Sequence, residues 1–238
     1  PMVASLASKI YLQPSCLNKE TAEQFHIKSG IEYIITISNS GVDTKEIFVS
    51  KLDENRDQEW LLSTSGTSGT PKLVTYSLER LMLTSKKNVL RGNEFSWGLC
   101  YDLNRFAGLQ VYFQAISSGS SLAIVEASCA PSDVVKLFAK NHVNCLSGTP
   151  SFWRKFLMTQ GSNLIDLRRI TLGGEIADQA VLSSLSKVFK NSKISHIYAS
   201  TEAGVGFSVQ DGLTGFPLEY IDSSNQSGVE LKILDNTR

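Results

Sequence analysis

The chain lacks the features that mark several classes of protein. No apolar run is long enough to cross a membrane as a helix. Basic and acidic residues balance at 23 each, so no excess charge is present to capture nucleic acid or an anionic membrane. The opening residues, Pro1-Met2-Val3-Ala4-Ser5, do not match a secretory signal. These absences predict a cytoplasmic protein with no membrane span and no nucleic-acid partner.

Cysteine and histidine are also scarce. No CxxC pair occurs, so we expect reduced thiols and no zinc site. The histidines match no catalytic pattern, and His196, inside a predicted strand, is expected to be a hydrogen-bonded structural residue. The residues concerned are Cys16, Cys100, Cys129, Cys145, His26, His142 and His196.

What is present indicates an α/β protein. The 238 residues, 42% of them hydrophobic, suffice for one domain or two packed subdomains. Short apolar strands alternate with amphipathic helices, which is typical of mostly parallel sheets covered by helices. We expect two packed subdomains and the start of a small β subdomain at the C-terminus. Their predicted bounds are 1–90 (a truncated N-terminal subdomain with the loop described below), 91–210 (a second α/β subdomain) and 211–238.

Hydrophobic periodicity and capping residues predict the elements within this frame. The expected strands cover 31–37, 60–62, 121–125 (a buried strand), 145–146, 169–172, 194–198 and 229–234. The expected helices begin near Ser77, run over 105–117, follow a cap at Ser132, run from Pro150 through Leu157, and follow a cap at Asp178. No motif is assigned to roughly the first fifty residues.

The segment Ser63–Lys72 concentrates hydroxyls, glycines and one lysine after an apolar strand. Glycines let backbone approach a ligand, clustered N–H groups bind anions, and the lysine adds positive charge. A flexible loop is the plain alternative. A Walker loop is excluded because Lys72 follows Pro71 and precedes Leu73. The segment predicts a polyphosphate loop whose nucleotide contacts are Thr64, Ser65, Gly66, Thr67, Ser68, Gly69, Thr70 and Lys72.

Two other predicted strands end in suggestive residues, and ligands gather at such ends in parallel sheets. Gly173-Gly174-Glu175 would let an adenine or acyl group approach the backbone, the alternative being a plain turn. Tyr198-Ala199-Ser200-Thr201-Glu202 supplies an aromatic ring, hydroxyls and a carboxylate, the alternative being a solvated capped turn. There, Tyr198 is expected to stack on adenine, Thr201 to donate to the α-phosphate and Glu202 to hold Mg²⁺.

Together these motifs resemble those of the adenylate-forming superfamily, which includes acyl-CoA synthetases, luciferase-like enzymes and adenylation domains of peptide synthetases. Thr64–Lys72 is similar to its phosphate loop, with Ser68 where threonine is commoner. Gly173–Glu175 resembles its glycine turn, and Tyr198–Glu202 its Tyr-Gly-x-Thr-Glu motif, with Ala199 replacing glycine. The resemblance runs from about Trp60 to the C-terminus.

The resemblance implies an AMP-forming ligase. A small carboxylic acid and ATP would give an acyl-adenylate, and a thiol of CoA or an acyl carrier protein would accept the acyl group. Lys72, Thr201 and Glu202 would be the catalytic residues, with Glu202 as the Mg²⁺ ligand. Gly173, Gly174, Glu175, Tyr198, Ala199, Ser200 and Thr201 would join the phosphate loop in binding the nucleotide.

Arg105-Phe106-Ala107-Gly108-Leu109 resembles the family's His-x-x-Gly-Leu segment, which lines the acyl pocket. Arg105, Gly108 and Gly174 are the predicted substrate-binding residues. Arg105 would pair with a second carboxylate or polar substituent of the substrate, or else with Asp102. The spacing favours a CoA-ligase type, while Asp102 keeps an amino-acid-activating type open.

Family members are about twice as long, and a ribose-binding aspartate, a hinge and a C-terminal lysine are not found before Arg238. The sequence is therefore expected to be a truncated member that adenylates weakly alone. The alternative function is a non-catalytic relative that binds a nucleotide or acyl group for regulation or scaffolding.

Overall fold

The computed structural model describes residues 9–13, 17–29, 33–38, 41–46, 58–64, 72–126, 128–221 and 231–232. The chain divides into two compact units, Pro1–Leu83 and Thr84–Arg238. The three-part division at 90 and 210 stays a prediction. Within the described ranges, no helix is both long and apolar enough to span a membrane.

The first unit contains two small sheets. In the three-stranded sheet, β4 (Glu59–Ser63) lies between β1 (Lys9–Leu12), parallel to it, and β5 (Leu73–Ser77), antiparallel to it. Strands β2 (Tyr33–Ser38) and β3 (Gly41–Glu46) form a separate antiparallel pair. The strand expected at 31–37 is observed as β2. The other elements are α1 Lys19–Ser29 and α2 Leu78–Met82.

The order strand, loop, helix expected around the phosphate loop is wrong. The loop instead joins two strands of a hairpin, because β5 pairs antiparallel with β4 before the chain turns into α2. The apolar residues of β5 alternate with polar ones, which is the period of a strand. The cap at Ser77 is confirmed, since its side chain accepts a hydrogen bond from the Arg80 N–H at 3.2 Å.

The second unit alternates strands with helices, as the sequence predicts. Short 3₁₀ helices at Val89–Glu94, Ser162–Leu164 and Leu218–Tyr220 connect or follow them. The other elements are β6 Ser96–Leu99, α3 Phe106–Ser118, β7 Ser121–Ile124, α4 Pro131–Lys140, β8 Cys145–Gly148, α5 Pro150–Leu157, β9 Arg169–Leu172, α6 Gln179–Val188, β10 Lys193–Ser200 and β11 Gly204–Val209.

Six of these strands form one sheet in the order β11-β10-β9-β8-β6-β7. All neighbours are parallel except β10 and β11, which form an antiparallel pair with a bulge at Tyr198 and Ala199. The mostly parallel α/β fold is therefore confirmed. The chain passes from β6 outward to β7 and then back to β8, so the strand order reverses between β6 and β8. Ligands bind outside the carboxyl ends of strands at such a point.

The main hydrophobic core lies on one face of this sheet. Successive strand residues point to opposite faces, and Leu146, Ile170 and Leu172 pack there against apolar residues of α4, α5 and α6. Trp153 of α5 is fully buried in this core, and its Nε1 donates to the Thr171 carbonyl at 3.0 Å. The alternate residues of the same strands therefore face the other side.

Two details differ from the sequence predictions. Ala130, not Ser132, is the N-cap of α4, because Pro131 has the backbone angle of a first helical residue. The strand expected at 121–125 is an edge strand, and Ile124 is 53% exposed. The strand expected at 229–234 lies largely outside the described residues. The N-cap at Asp178 is confirmed by a 2.9 Å bond from the Val181 N–H.

Candidate functional site

A cavity of about 200 Å³ lies in the second unit between α3 and the sheet face opposite the main core. Trp97, Ser147, Thr171 and Ile197, from β6, β8, β9 and β10, form its floor. These residues alternate with the core-facing ones, which is why they lie on this side. The cavity is thus at the sheet position where the reversal of strand order predicts a ligand.

Helix α3 forms the opposite wall. Phe106, Ala107, Gln110, Val111 and Gln114 line the cavity at the i, i+1, i+4, i+5, i+8 spacing of one helical face. The helix begins after Arg105 and ends at Gly119, whose φ of 66° suits glycine at a left-handed cap.

Two glutamines of α3 also hold the backbone that borders the cavity at Thr84 and Ser85. The Thr84 hydroxyl donates to Gln110 Oε1 at 2.7 Å. The Gln114 amide accepts from the Lys86 N–H at 3.0 Å and donates to the Lys86 carbonyl at 3.3 Å. The segment beside the cavity is therefore positioned by the same helix that forms its wall.

Gly173 and Gly174 border the cavity at the carboxyl end of β9. Gly174 has a φ of 79°, a conformation that favours glycine, although the space beside it would admit a methyl group. Tyr101, another lining residue, donates its hydroxyl to the Gly173 carbonyl at 3.4 Å. Burial raises the pKa of Tyr101 to about 12, so its hydroxyl stays protonated near neutral pH.

Glu175, the third residue of that turn, binds the start of α5. Its Oε2 accepts from the Ser151 N–H at 2.9 Å. Hydrogen bonds, first from the Ser151 side chain and then from its backbone, hold the pKa of Glu175 below its usual value. Thr149 caps the same helix by accepting from the Phe152 N–H at 3.1 Å. Glu175 thus fixes the glycine turn to α5.

The motif 198–202 lies at the end of β10 and in the turn to β11. Ala199 lines the cavity. Thr201 is half-buried and Glu202 is exposed in the turn, while Ser200 Oγ accepts from the Ala203 N–H at 3.0 Å. The hairpin therefore presents one free-standing carboxylate, that of Glu202, near the strand end.

Tyr198 packs within an aromatic cluster. Its ring stacks on Phe207 with centroids 4.5 Å apart, and Phe216 meets it edge-on at 5.8 Å. Its hydroxyl donates to the Gly215 carbonyl at 3.0 Å. One face of the ring is therefore already covered, and the adenine contact expected for Tyr198 stays a prediction.

Arg105 and Gly108 do not line the cavity. Arg105 is the N-cap residue of α3. A Cβ on Gly108 would lie 2.2 Å from the Asp102 carbonyl oxygen, so this glycine lets α3 pack onto the preceding loop. The Asp102 carboxylate accepts from the Asn104 N–H at 2.9 Å. The substrate-binding roles of Arg105 and Gly108 stay predictions.

In the first unit, Thr64 and Lys72 close the neck of the phosphate loop. The Thr64 N–H donates to the Lys72 carbonyl at 2.8 Å, and the Lys72 N–H donates to Thr64 Oγ1 at 3.3 Å. The Lys72 side chain is exposed. Ser65, Gly66, Thr67, Ser68, Gly69 and Thr70 lie outside the described residues, so the predicted phosphate contacts stay a prediction.

Three residues that the sequence predicts near a ligand, Gly173, Gly174 and Ala199, line the cavity. Most of the other lining residues were not predicted. Trp97, Ser147 and Thr171 belong to no motif, and only their alternation with buried neighbours on short strands indicates their side of the sheet. Among the described residues, Cys100, Cys129 and Cys145 are free thiols, and burial raises the pKa of Cys100 and of Cys145 to about 12; Cys16 lies outside those residues.

Comparison with known proteins agrees with this arrangement. The family model of AMP-binding enzymes matches residues 18–238, and the chain belongs to that family. Syringomycin synthase SyrB1 of Pseudomonas syringae pv. syringae is 25% identical over 165 residues, 66% of this chain and 27% of that protein. The mitochondrial acyl-CoA synthetase short-chain family member B of Dictyostelium discoideum is 27% identical over 164 residues, 61% of this chain and 23% of that protein.

A solved structure shows the same fold. The N-terminal subdomain of Klebsiella oxytoca NpsA, in complex with 3-hydroxybenzoyl-AMSN, superposes with a TM-score of 0.66 at 16% identity. The match covers 84% of this chain and 56% of that one. The chain thus spans about a quarter of the two curated relatives named above.

Proposed function

We propose that this chain is the core of an AMP-forming ligase that joins a carboxylic acid to a thiol in two steps. A substrate carboxylate oxygen attacks the α-phosphorus of ATP, the bond to the bridging oxygen breaks, and pyrophosphate leaves. A thiolate sulfur of CoA or of a carrier protein then attacks the acyl carbon, and AMP leaves. The observation that carries the proposal is that Gly173, Gly174 and Ala199, from two separate family motifs, line one cavity.

The residues around this cavity support a role in positioning. Gly173 and Gly174 leave backbone accessible beside it, and Glu175 holds their turn against α5. The Cys100 and Cys145 thiols and the Tyr101 hydroxyl stay protonated, so none of these three groups is a nucleophile near neutral pH. The acid's own carboxylate is therefore the nucleophile, and the protein aligns it and stabilises developing charge.

Glu202 fits the role of a Mg²⁺ ligand. In nucleotide sites Mg²⁺ takes one or two carboxylates together with phosphate oxygens, and Glu202 presents an exposed carboxylate in the β10–β11 turn. Among the described residues, no group of three or more histidine, cysteine, aspartate or glutamate residues could hold a metal by itself. When bound, Mg²⁺ neutralises phosphate charge; Lys72 and Thr201 would contact the phosphates.

Lys72→Ala and Glu202→Ala test the proposal through the affinity of the chain for MgATP. Each change should raise the Kd about tenfold or more, because each removes a charge-assisted contact to the phosphates or their metal. Isothermal titration calorimetry gives the Kd. Lys140→Ala and Glu219→Ala are matched controls, since both residues are exposed and lie in neither motif.

Unchanged MgATP affinity in both Lys72→Ala and Glu202→Ala would overturn this assignment of the nucleotide site. ATP–pyrophosphate exchange measured on the same chain separates the two candidate functions. Exchange that depends on an added acid supports the ligase. Tight MgATP binding without exchange for any acid would favour the non-catalytic relative.

A further inference from the structure

The cavity beneath α3 has room for a small ligand. Its volume of about 200 Å³ is somewhat larger than the roughly 150 Å³ of an apolar cavity that holds one benzene molecule. Trp97, Tyr101 and Phe106 give it three aromatic walls, with Val111 and Ile197 between them. The free space therefore matches a single six-membered ring with a small substituent.

The described lining of the cavity carries no charged side chain. Within the described part of the chain, no aspartate, glutamate, lysine, arginine or histidine lines it. A buried ammonium or second carboxylate needs an opposite charge or metal nearby, because desolvation otherwise disfavours its charged form strongly. The described lining offers no such partner, and the carboxylate of Asp102 is exposed outside it.

Two lining residues carry buried polar atoms without a partner. Trp97 Nε1 and Ser85 Oγ are both inaccessible to solvent and make no hydrogen bond. Buried donors in folded proteins are almost always bonded, and leaving one unpaired costs stability. An acceptor on the ring of a bound ligand, such as a hydroxyl or carbonyl oxygen, would supply the missing partner once the side chain shifts toward it.

We propose that the ligase cavity takes an aromatic monocarboxylic acid of one ring, with no charge beyond the reacting carboxylate and with a ring acceptor that bonds Trp97 Nε1–H. The carboxylate would lie toward Gly173, Gly174 and Ala199, where the strand ends open the cavity. α-Amino acids and diacids should bind much more weakly, because the described lining offers no partner for their additional charge. This inference rests on the function proposed above and narrows it from any acid to one class.

The test compares pairs of acids that differ in one group. Binding to the 238-residue chain is measured by ligand-observed NMR in the presence of MgATP, and pyrophosphate exchange is measured in parallel. 3-Phenylpropanoate should bind at least about 100-fold more tightly than L-phenylalanine, which adds only an ammonium group. Benzoate should exceed terephthalate by a similar factor. Equal binding within either pair would overturn the proposal.

Substitutions in the lining test whether the acid binds in this cavity. Ala107→Phe fills the cavity from α3 and should abolish benzoate binding while the Kd for MgATP stays within about twofold. Ile116→Phe, on the exposed side of the same helix, is the matched control and should leave both unchanged. If Ala107→Phe does not fold, Trp97→Phe still decides: it should weaken 3-hydroxybenzoate about 3- to 10-fold and leave benzoate unaffected.

The outcomes separate this inference from the proposed function. MgATP binding with preference for an amino acid or a diacid would leave the ligase standing and remove the aromatic-acid assignment. If the wild-type chain does not bind MgATP, the proposed ligase function itself is overturned. Competition between adenosine and benzoate for the cavity would show that the cavity holds the base of the nucleotide, and would overturn the inference.

Discussion

At the scale of single residues, Gly108 shows how local packing can override helix propensity. Replacing a helical glycine with alanine ordinarily stabilises a helix by about 1 kcal/mol. Here the new methyl group would lie 2.2 Å from the Asp102 carbonyl oxygen, which is backbone and cannot move aside. Gly108→Ala should therefore lower the free energy of unfolding by roughly 1–3 kcal/mol, measured by urea denaturation.

Ser117→Ala is the control for this change, on the same helix and with the same final residue. The Ser117 hydroxyl is buried without a hydrogen-bond partner, so its removal should leave stability unchanged or slightly higher. A Gly108→Ala variant as stable as wild type would show that α3 does not rest on the loop at Asp102.

Two sequence motifs at strand ends contribute residues to the cavity lining, and their ligand contacts stay predictions; side chains that only face inward along a strand were not predicted. Gly173, Gly174 and Ala199 were expected near a ligand and do line the cavity. Trp97 and Thr171 were not expected there. Their position depends on strand pairing between segments far apart in sequence, and one sequence does not reveal that pairing.

At the scale of elements, α5 depends on groups that lie at its first turn. Thr149→Ala removes the side-chain acceptor for the Phe152 N–H and should lower the free energy of unfolding by about 1 kcal/mol. Thr149→Ser keeps the acceptor and should retain most of that stability. Thermal unfolding measures both, and equal losses in the two variants would mean that the methyl group, not the cap, matters.

Element prediction succeeded for helices with strong caps, at Ser77 and Asp178. It failed at Ser132, because Pro131 already starts that helix and moves the cap to Ala130. It also missed β5 and β11. Each pairs antiparallel with the strand before it, and at β5 a hairpin comes between the strand and the helix expected near Ser77.

At the scale of the whole molecule, His196 ties stability to pH. It is 4% exposed on β10; a hydrogen bond with the Leu213 backbone agrees with the structural role expected from sequence, while its Nε2 has no partner. Burial lowers its pKa below the usual value of about 6.5, although Asp211 opposes this shift. The unfolded chain therefore binds the proton more readily. The full free energy of unfolding is therefore available above pH 6.5, where the imidazole is neutral in both states. Part of it is lost as the pH falls through the folded-state pKa of His196.

The corresponding measurement is urea unfolding at several pH values from 7.5 downward. Wild type should lose stability over this window, and His196→Gln should lose less because its side chain does not titrate. All other residues are identical in the two proteins, so the difference between the two curves reports His196 alone. Parallel curves would contradict this account.

The bonds from Gln110 and Gln114 to Thr84 and Lys86 have a consequence for engineering. Helix α3 supplies one wall of the cavity and also anchors the strip of chain along its border, all within 13 consecutive residues. Helix α3 therefore sets the shape of one cavity wall and the position of the segment beside it, while the strands set the floor. Grafting the equivalent helix of a family member, with its two anchoring side chains, should change that wall while leaving the sheet and its turns intact.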